Sequence, residues 1–224
     1  MSLRSVPRAP RLVSVIGNSP GVGKSTLASA LADGLAREGS SVDHFEEADI
    51  LTRPAFAPVV AEFGDGDGAV RPATLVAATR EYVRQSREAG VEWLVTDALV
   101  PFLPSLVAWG HDERALEGVL EELVAALEPL EVVLVWVRDD PAVALRRAVA
   151  REGAAWERWY VDKLAAAPGT SHVHDLASAA DQLRAETELT GRLLARTPWQ
   201  IVPVDVATLD AEAACSYVRR QLPV

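Results

Sequence analysis

The stretch "RLVSVIGNSPGVGKSTLASALADGLAREGSS" constrains the fold of this chain more than any other. Residues 12–16 form a short, nearly continuous apolar run. Residues 24–38 then place Leu27, Leu31 and Leu35 on one helical face and end at Gly39, a residue suited to a helix C-cap. Between the two lies a tight turn with glycines at 17, 21 and 23. A buried strand that enters such a turn and leaves it as an amphipathic helix is the opening unit of a parallel α/β sheet.

The rest of the chain repeats that alternation. Apolar runs at 41–45, 92–96, 131–137 and 199–204 read as four further strands. They are mostly apolar rather than alternating, as expected of strands covered on both faces. Helical spacing is legible at 72–89, which starts at Pro72, and at 113–127. It recurs after Pro141, over roughly 154–166 and 176–196, and at 209–221. The expected architecture is a three-layer α/β fold: a five-stranded parallel sheet with helices on both faces. Residues 1–10 read as a flexible tail and 11–224 as one domain, with a helical lid over roughly 146–175.

The turn itself matches the phosphate-loop pattern G-x-x-x-x-G-K-[ST] at Gly23, Lys24 and Ser25. The pattern's first glycine is replaced by Asn18, with Gly17 one step early. Asparagine tolerates left-handed backbone angles, so the loop shape is expected to survive the exchange. The loop of Asn18, Ser19, Pro20, Gly21, Val22 and Gly23 would cradle phosphates with its backbone N–H groups, Pro20 lending no N–H, aided by the positive end of the helix. Lys24 would reach the outer phosphates. Ser25 would hold Mg²⁺, and Thr26 completes the first turn.

Ligands of open α/β sheets sit beyond the carboxyl ends of the strands. The second strand ends in Glu46, Glu47 and Asp49, and the third in Asp97. If the second strand runs through both glutamates, Glu46 and Glu47 face opposite sides. Any of these carboxylates could orient a hydroxyl acceptor or, at Asp97, support Mg²⁺; a helix-capping role is the competing reading. Phe102, Leu103 and Trp109 follow, suited to a pocket wall or to the core. The "GDGDG" stretch at 64–68 reads as a solvated turn, because the later ligands of a calcium loop are missing. His172 and His174 lack the further ligands zinc needs.

Net charge is −10, from 22 basic and 32 acidic side chains, which argues against nucleic acid or an anionic membrane as the main partner. Cys215 is the single cysteine, so no intramolecular disulfide forms, as in a reducing cytoplasmic protein. The longest apolar runs, such as 132–137, are too short to span a bilayer, and the N-terminus has no signal-peptide core.

After the fourth strand comes "RDDPAVALRRAVAREGAAWERWYVDKLAA". Here the chain resembles the nucleoside and nucleotide kinases, especially the deoxynucleoside and thymidylate kinases. Asp140, Pro141, Ala144 and Arg147 match that family's "D-P-x-x-A-x-x-R", and Tyr160, Lys163 and Leu164 match its "Y-x-x-K-L". The closing "IVPVDVA" is similar too, whereas residues 50–130 match in layout alone. The resemblance implies an ATP- and Mg²⁺-dependent phosphotransferase with a small-molecule acceptor, a nucleoside or nucleotide first. It implies that Arg147 and Arg151, with Arg146 as a substitute, close over the transferring group, and that Glu47 or Glu46, then Asp49, serves as the base. Trp156 and Tyr160 would lie near the acceptor. A kinase for an antibiotic or another metabolite stays open. So does a regulatory NTPase of the metal-chaperone or partitioning type, acting as a homodimer or on a protein client, because "GVGKSTLASALADGLAREGSSVDHFEEAD" is similar to those proteins as well.

Overall fold

The computed structural model describes residues 10–65, 68–97 and 101–223. The expected tail at 1–10 lies outside them except for Pro10, and so does the centre of the "GDGDG" stretch. Five strands, β1 (Arg11–Ile16), β2 (Val42–Phe45), β3 (Trp93–Thr96), β4 (Glu131–Arg138) and β5 (Gln200–Asp205), form one all-parallel sheet in the order β2-β3-β1-β4-β5. The chain leaves β1 toward β2 and leaves β4 toward β5. The order therefore reverses between β1 and β4, which opens a crevice at their carboxyl ends.

Both faces are covered, which is why the strands read as continuous apolar runs. On one face Leu12, Leu94 and Leu134 pack under α3 (Pro72–Glu88), α5 (Glu113–Leu127) and the end of α8 (Leu176–Leu194). On the other, Val13, Val15, Val95, Val133 and Val135 meet α1 (Lys24–Arg37) and α9 (Ala211–Arg219). The result is the three-layer α/β fold. A separate small cluster joins α6 (Pro141–Glu152), α7 (Ala154–Ala166) and the first half of α8 around Leu145, Tyr160 and Leu183.

Two further helices, α2 (Ala57–Asp65) and α4 (Leu103–Ala108), and 3-10 turns at Glu47–Leu51 and Pro54–Phe56 fill segments the sequence pattern leaves unassigned. Leu103 is buried there, with Phe102 and Trp109 packed against the same cluster, so these three are core. Phe45, Phe56 and Tyr82 stack beside them, with ring centroids 5.3–5.9 Å apart. Arg53 lies over the Phe45 ring and forks onto both Asp43 oxygens at 2.8 and 2.7 Å, which fixes β2 against the turn that follows it. Among the described residues no helix is long and apolar enough to cross a membrane.

Candidate nucleotide site

The turn between β1 and α1 sits at the crevice, and its shape comes from packing at three points. At Gly17 an added Cβ would stand 2.9 Å from Val137 O, so β4 closes on the loop as β1 ends. The Lys24 stem packs beside the same spot: its Cγ would be 3.4 Å from that Cβ. At Gly21 a Cβ would be 2.7 Å from Ala144 O, which seats α6 directly on the loop. Gly21 and Gly23 have φ of 75° and 99°, the left-handed region that glycine enters without strain.

Asn18 departs from expectation. No non-glycine residue among those described has positive φ, so Asn18 does not replace a glycine by adopting its backbone. It works through its side chain instead. Asn18 Nδ2 donates to Thr190 Oγ1 on α8 at 3.1 Å.

At the helix end of the loop, Ser25 Oγ donates to Asp97 Oδ2 at 2.5 Å. Asp97 is 7% exposed, and its other oxygen accepts from Glu47 N at 3.0 Å. One carboxylate thus joins α1, the end of β3 and the end of β2. A hydroxyl and a buried carboxylate beside the positive end of a helix are hard oxygen ligands of the kind Mg²⁺ takes, directly or through water. The residues present therefore fit Mg²⁺ and a polyphosphate: glycine turns for close approach, a lysine at the loop's end, and an oxygen pair beside it.

The acids after β2 part company. The strand stops at Phe45, so strand alternation does not separate Glu46 from Glu47. Asp49 Oδ2 accepts from Glu46 N at 2.9 Å and caps the 3-10 turn at Glu47–Leu51. Glu46 Oε1 stands 4.0 Å from His44 Nε2. Glu47 meets Asp97 through its backbone, which leaves its exposed carboxylate at the rim of the crevice.

On α6, Ala144 and Ala148 form the strip that touches Gly21. Arg147 and Arg151 each lie three residues beyond one of them, beside that strip. Arg147 pairs with Asp139 at the end of β4, and Arg151 Nε bonds Glu152 Oε1 at 2.7 Å. Both arginines are exposed, as is Arg146. Arg138 stacks over Trp136, with its guanidinium 5.3 Å from the ring centroid. On α7, Trp156 stacks on Tyr160 at 4.9 Å, and Tyr160 is buried in the small cluster. His174 and Asp175 are exposed, and the Asp175 carboxylate caps α8 by accepting from Ser178 N at 2.7 Å.

Three residues escaped the sequence reading. Gln182, Glu186 and Thr190 form a polar stripe on the buried face of α8. Their spacing of four was visible in "DQLRAETELTG", but only the fold shows that this face meets Asn18. Burial pushes the Glu186 carboxyl up to about 7, against hydrogen bonds from Gln182 and Asn18 that favour its charge. Two cavities, of about 550 and 940 Å³, lie at the amino-terminal end of the sheet around Arg11, away from this chemistry.

No family model matches the chain, and no curated protein matches it in sequence. Among solved structures it is similar to the one described as "Crystal structure of APE1195", with 16% identity and a TM-score of 0.51. The alignment covers 96% of this chain and 95% of that one. This likeness shows the fold.

Proposed function

We propose that this protein is a Mg²⁺-dependent phosphotransferase that moves the γ-phosphoryl group of ATP to a small acceptor, a nucleoside or nucleotide first. The observation that carries the reading is the Ser25–Asp97 hydrogen bond at the end of a glycine turn against which the Lys24 stem packs. Lys24 and the N–H groups at the start of α1 would bind the β- and γ-phosphates. Ser25 and Asp97 would hold Mg²⁺, which supplies charge neutralisation between the phosphates. Glu47 is the residue proposed to orient the acceptor hydroxyl, because Glu46 and Asp49 are engaged in the turn after β2. Arg147 and Arg151, beside the strip that seats on Gly21, would turn inward once a phosphate offers more charge than Asp139 or Glu152 does.

The test is ADP release from ATP and Mg²⁺ with a panel of nucleosides, nucleoside monophosphates and aminoglycoside-like metabolites. Acceptor-stimulated release that Lys24→Ala abolishes supports the phosphotransferase. Slow hydrolysis that no acceptor stimulates would instead support a regulatory NTPase. The ion pairs that now hold both arginines suit that second reading, since such a protein needs no arginine over an acceptor.

A further inference from the structure

Gln182, Glu186 and Thr190 are 9%, 5% and 2% exposed. Asn18, the residue that stands where the loop pattern has its first glycine, donates to Thr190 Oγ1 at 3.1 Å. Glu186 lies one helical turn before that threonine on the same buried face, accepts from Gln182 Nε2 at 2.8 Å, and is near enough to Asn18 for the amide to favour its charge. A buried carboxyl therefore stands against the start of the phosphate loop. The loop's middle is seated on α6 at Gly21, and α6 packs on α8, so one helix pair holds the loop at both places.

The charges around Glu186 do little to offset its own. The facing element α4 carries no ionisable side chain. On α5, Glu113 and Glu117 are paired with Arg192, near the end of α8, and with Arg196, just beyond it. On α6, Arg146, Arg147 and Arg151 are exposed, the last two with partners of their own. On α7 the buried titratable group is Tyr160, whose hydroxyl is pushed up first by burial and then by the Glu186 charge. Within α8, Arg184 pairs with Asp181 and with Asp140.

We propose that Glu186 is a positioning residue of the nucleotide site: it sets the start of the phosphate loop through Asn18, and it takes up a proton when a polyphosphate occupies the loop. The proposal rests on the nucleotide-binding part of the function above. With its carboxyl already raised to about 7 by burial, Glu186 is part ionised at neutral pH. Negative charge arriving on the other side of Asn18 disfavours the ionised form further. The balance is simple: the carboxylate takes one proton from solvent and becomes a carboxylic acid. The neutral group keeps an acceptor for Asn18 and Gln182 and gains a donor.

Binding of ADP with saturating Mg²⁺ would be followed by calorimetry at pH 6.0, 7.5 and 8.5, in buffers of different ionisation enthalpy, for the wild type, Glu186→Gln and Asn18→Gly. The expected result is a wild-type affinity that weakens between pH 6.0 and 8.5 about tenfold more than that of Glu186→Gln, as a one-unit shift on binding requires. Net proton uptake at pH 7.5 should disappear in Glu186→Gln and fall in Asn18→Gly. Equal pH slopes and equal proton uptake in the wild type and Glu186→Gln would overturn the inference. If that variant does not fold, Asn18→Gly decides alone, and a slope equal to the wild type's overturns it. A wild type that binds no nucleotide at any pH would instead overturn the nucleotide site itself.

Discussion

Ser25 and Asp97 are 72 positions apart in the chain, yet the serine hydroxyl donates to the aspartate at 2.5 Å. The same carboxylate holds the backbone of Glu47, so the start of α1 and the ends of β2 and β3 meet on one buried group. A contact of this kind needs no assembly when a ligand arrives. It also sets a carboxylate beside the positive end of a helix, which favours its charge; that carboxylate and the Ser25 hydroxyl are the groups that would hold a divalent cation.

Asp97→Asn keeps the size of the side chain and one acceptor oxygen while removing the charge. Mg²⁺-nucleotide affinity should fall at least about tenfold, in line with the loss of one charged interaction of roughly 1.5–3 kcal/mol. Titration with and without Mg²⁺ separates the two roles. An affinity equal to the wild type's in Mg²⁺ would make Asp97 a structural acceptor only.

Arg151 is solvent-exposed and paired with its chain neighbour Glu152, so Arg151→Ala should leave the unfolding midpoint within error of the wild type. If the arginine closes on the transferring group, turnover should drop about 10³-fold. Single-turnover rates on the identified acceptor check this. A near-normal rate would return Arg151 to the surface.

Gly21→Ala asks a residue with a Cβ to adopt φ of 75° and to place that Cβ 2.7 Å from Ala144 O. Either α6 lifts from the loop or the loop changes shape. Stability should fall by about 2 kcal/mol, from left-handed strain and the lost seating, and nucleotide affinity should fall with it. Urea denaturation and nucleotide titration read the two effects. Gly23→Ala meets no neighbour within 4 Å, so it should show backbone strain without the loss of seating.

Glu186 gives a pH dependence whose sign follows from its burial. Its ordinary value is 4.5, and the folded protein raises it to about 7. Below pH 4.5 the group is neutral folded and unfolded and costs nothing. Between those values only the unfolded chain releases the proton, so stability falls as pH rises, and above about 7 the loss is complete. The full loss is on the order of 3 kcal/mol at most. Glu186→Gln should therefore be more stable than the wild type at pH 8 and close to it at pH 4, by urea denaturation. The opposite ordering would show that the carboxylate is stabilising when charged.

The legible parts of the fold were the long, periodic ones. The helices over 113–127 and 154–166 have the bounds their apolar spacing predicts, and all five strands lie within a residue of their expected runs. The segment between β2 and α3 was opaque. Proline in general interrupts a helical pattern, whereas Pro54 and Pro58 sit in the first turns of the 3-10 helix at Pro54–Phe56 and of α2. Helices of nine and six residues, such as α2 and α4, are too short to display a period against that background.

The same division holds at the candidate site. Local sequence by itself determined the glycine turn, Lys24, Ser25 and the acids at the strand ends, because each depends on neighbours a few residues away. Tertiary structure alone decided which acid meets Ser25, that Asp49 is occupied by a cap, and that Asn18 acts through its side chain. It alone decided that the polar stripe on α8 lies against the phosphate loop. The physical reason is that hydrogen-bond partners 72 or 172 residues apart leave no periodic trace in a single sequence. They are chosen by the sheet order that brings β3, β1 and β4 side by side and by the burial that makes each pairing necessary.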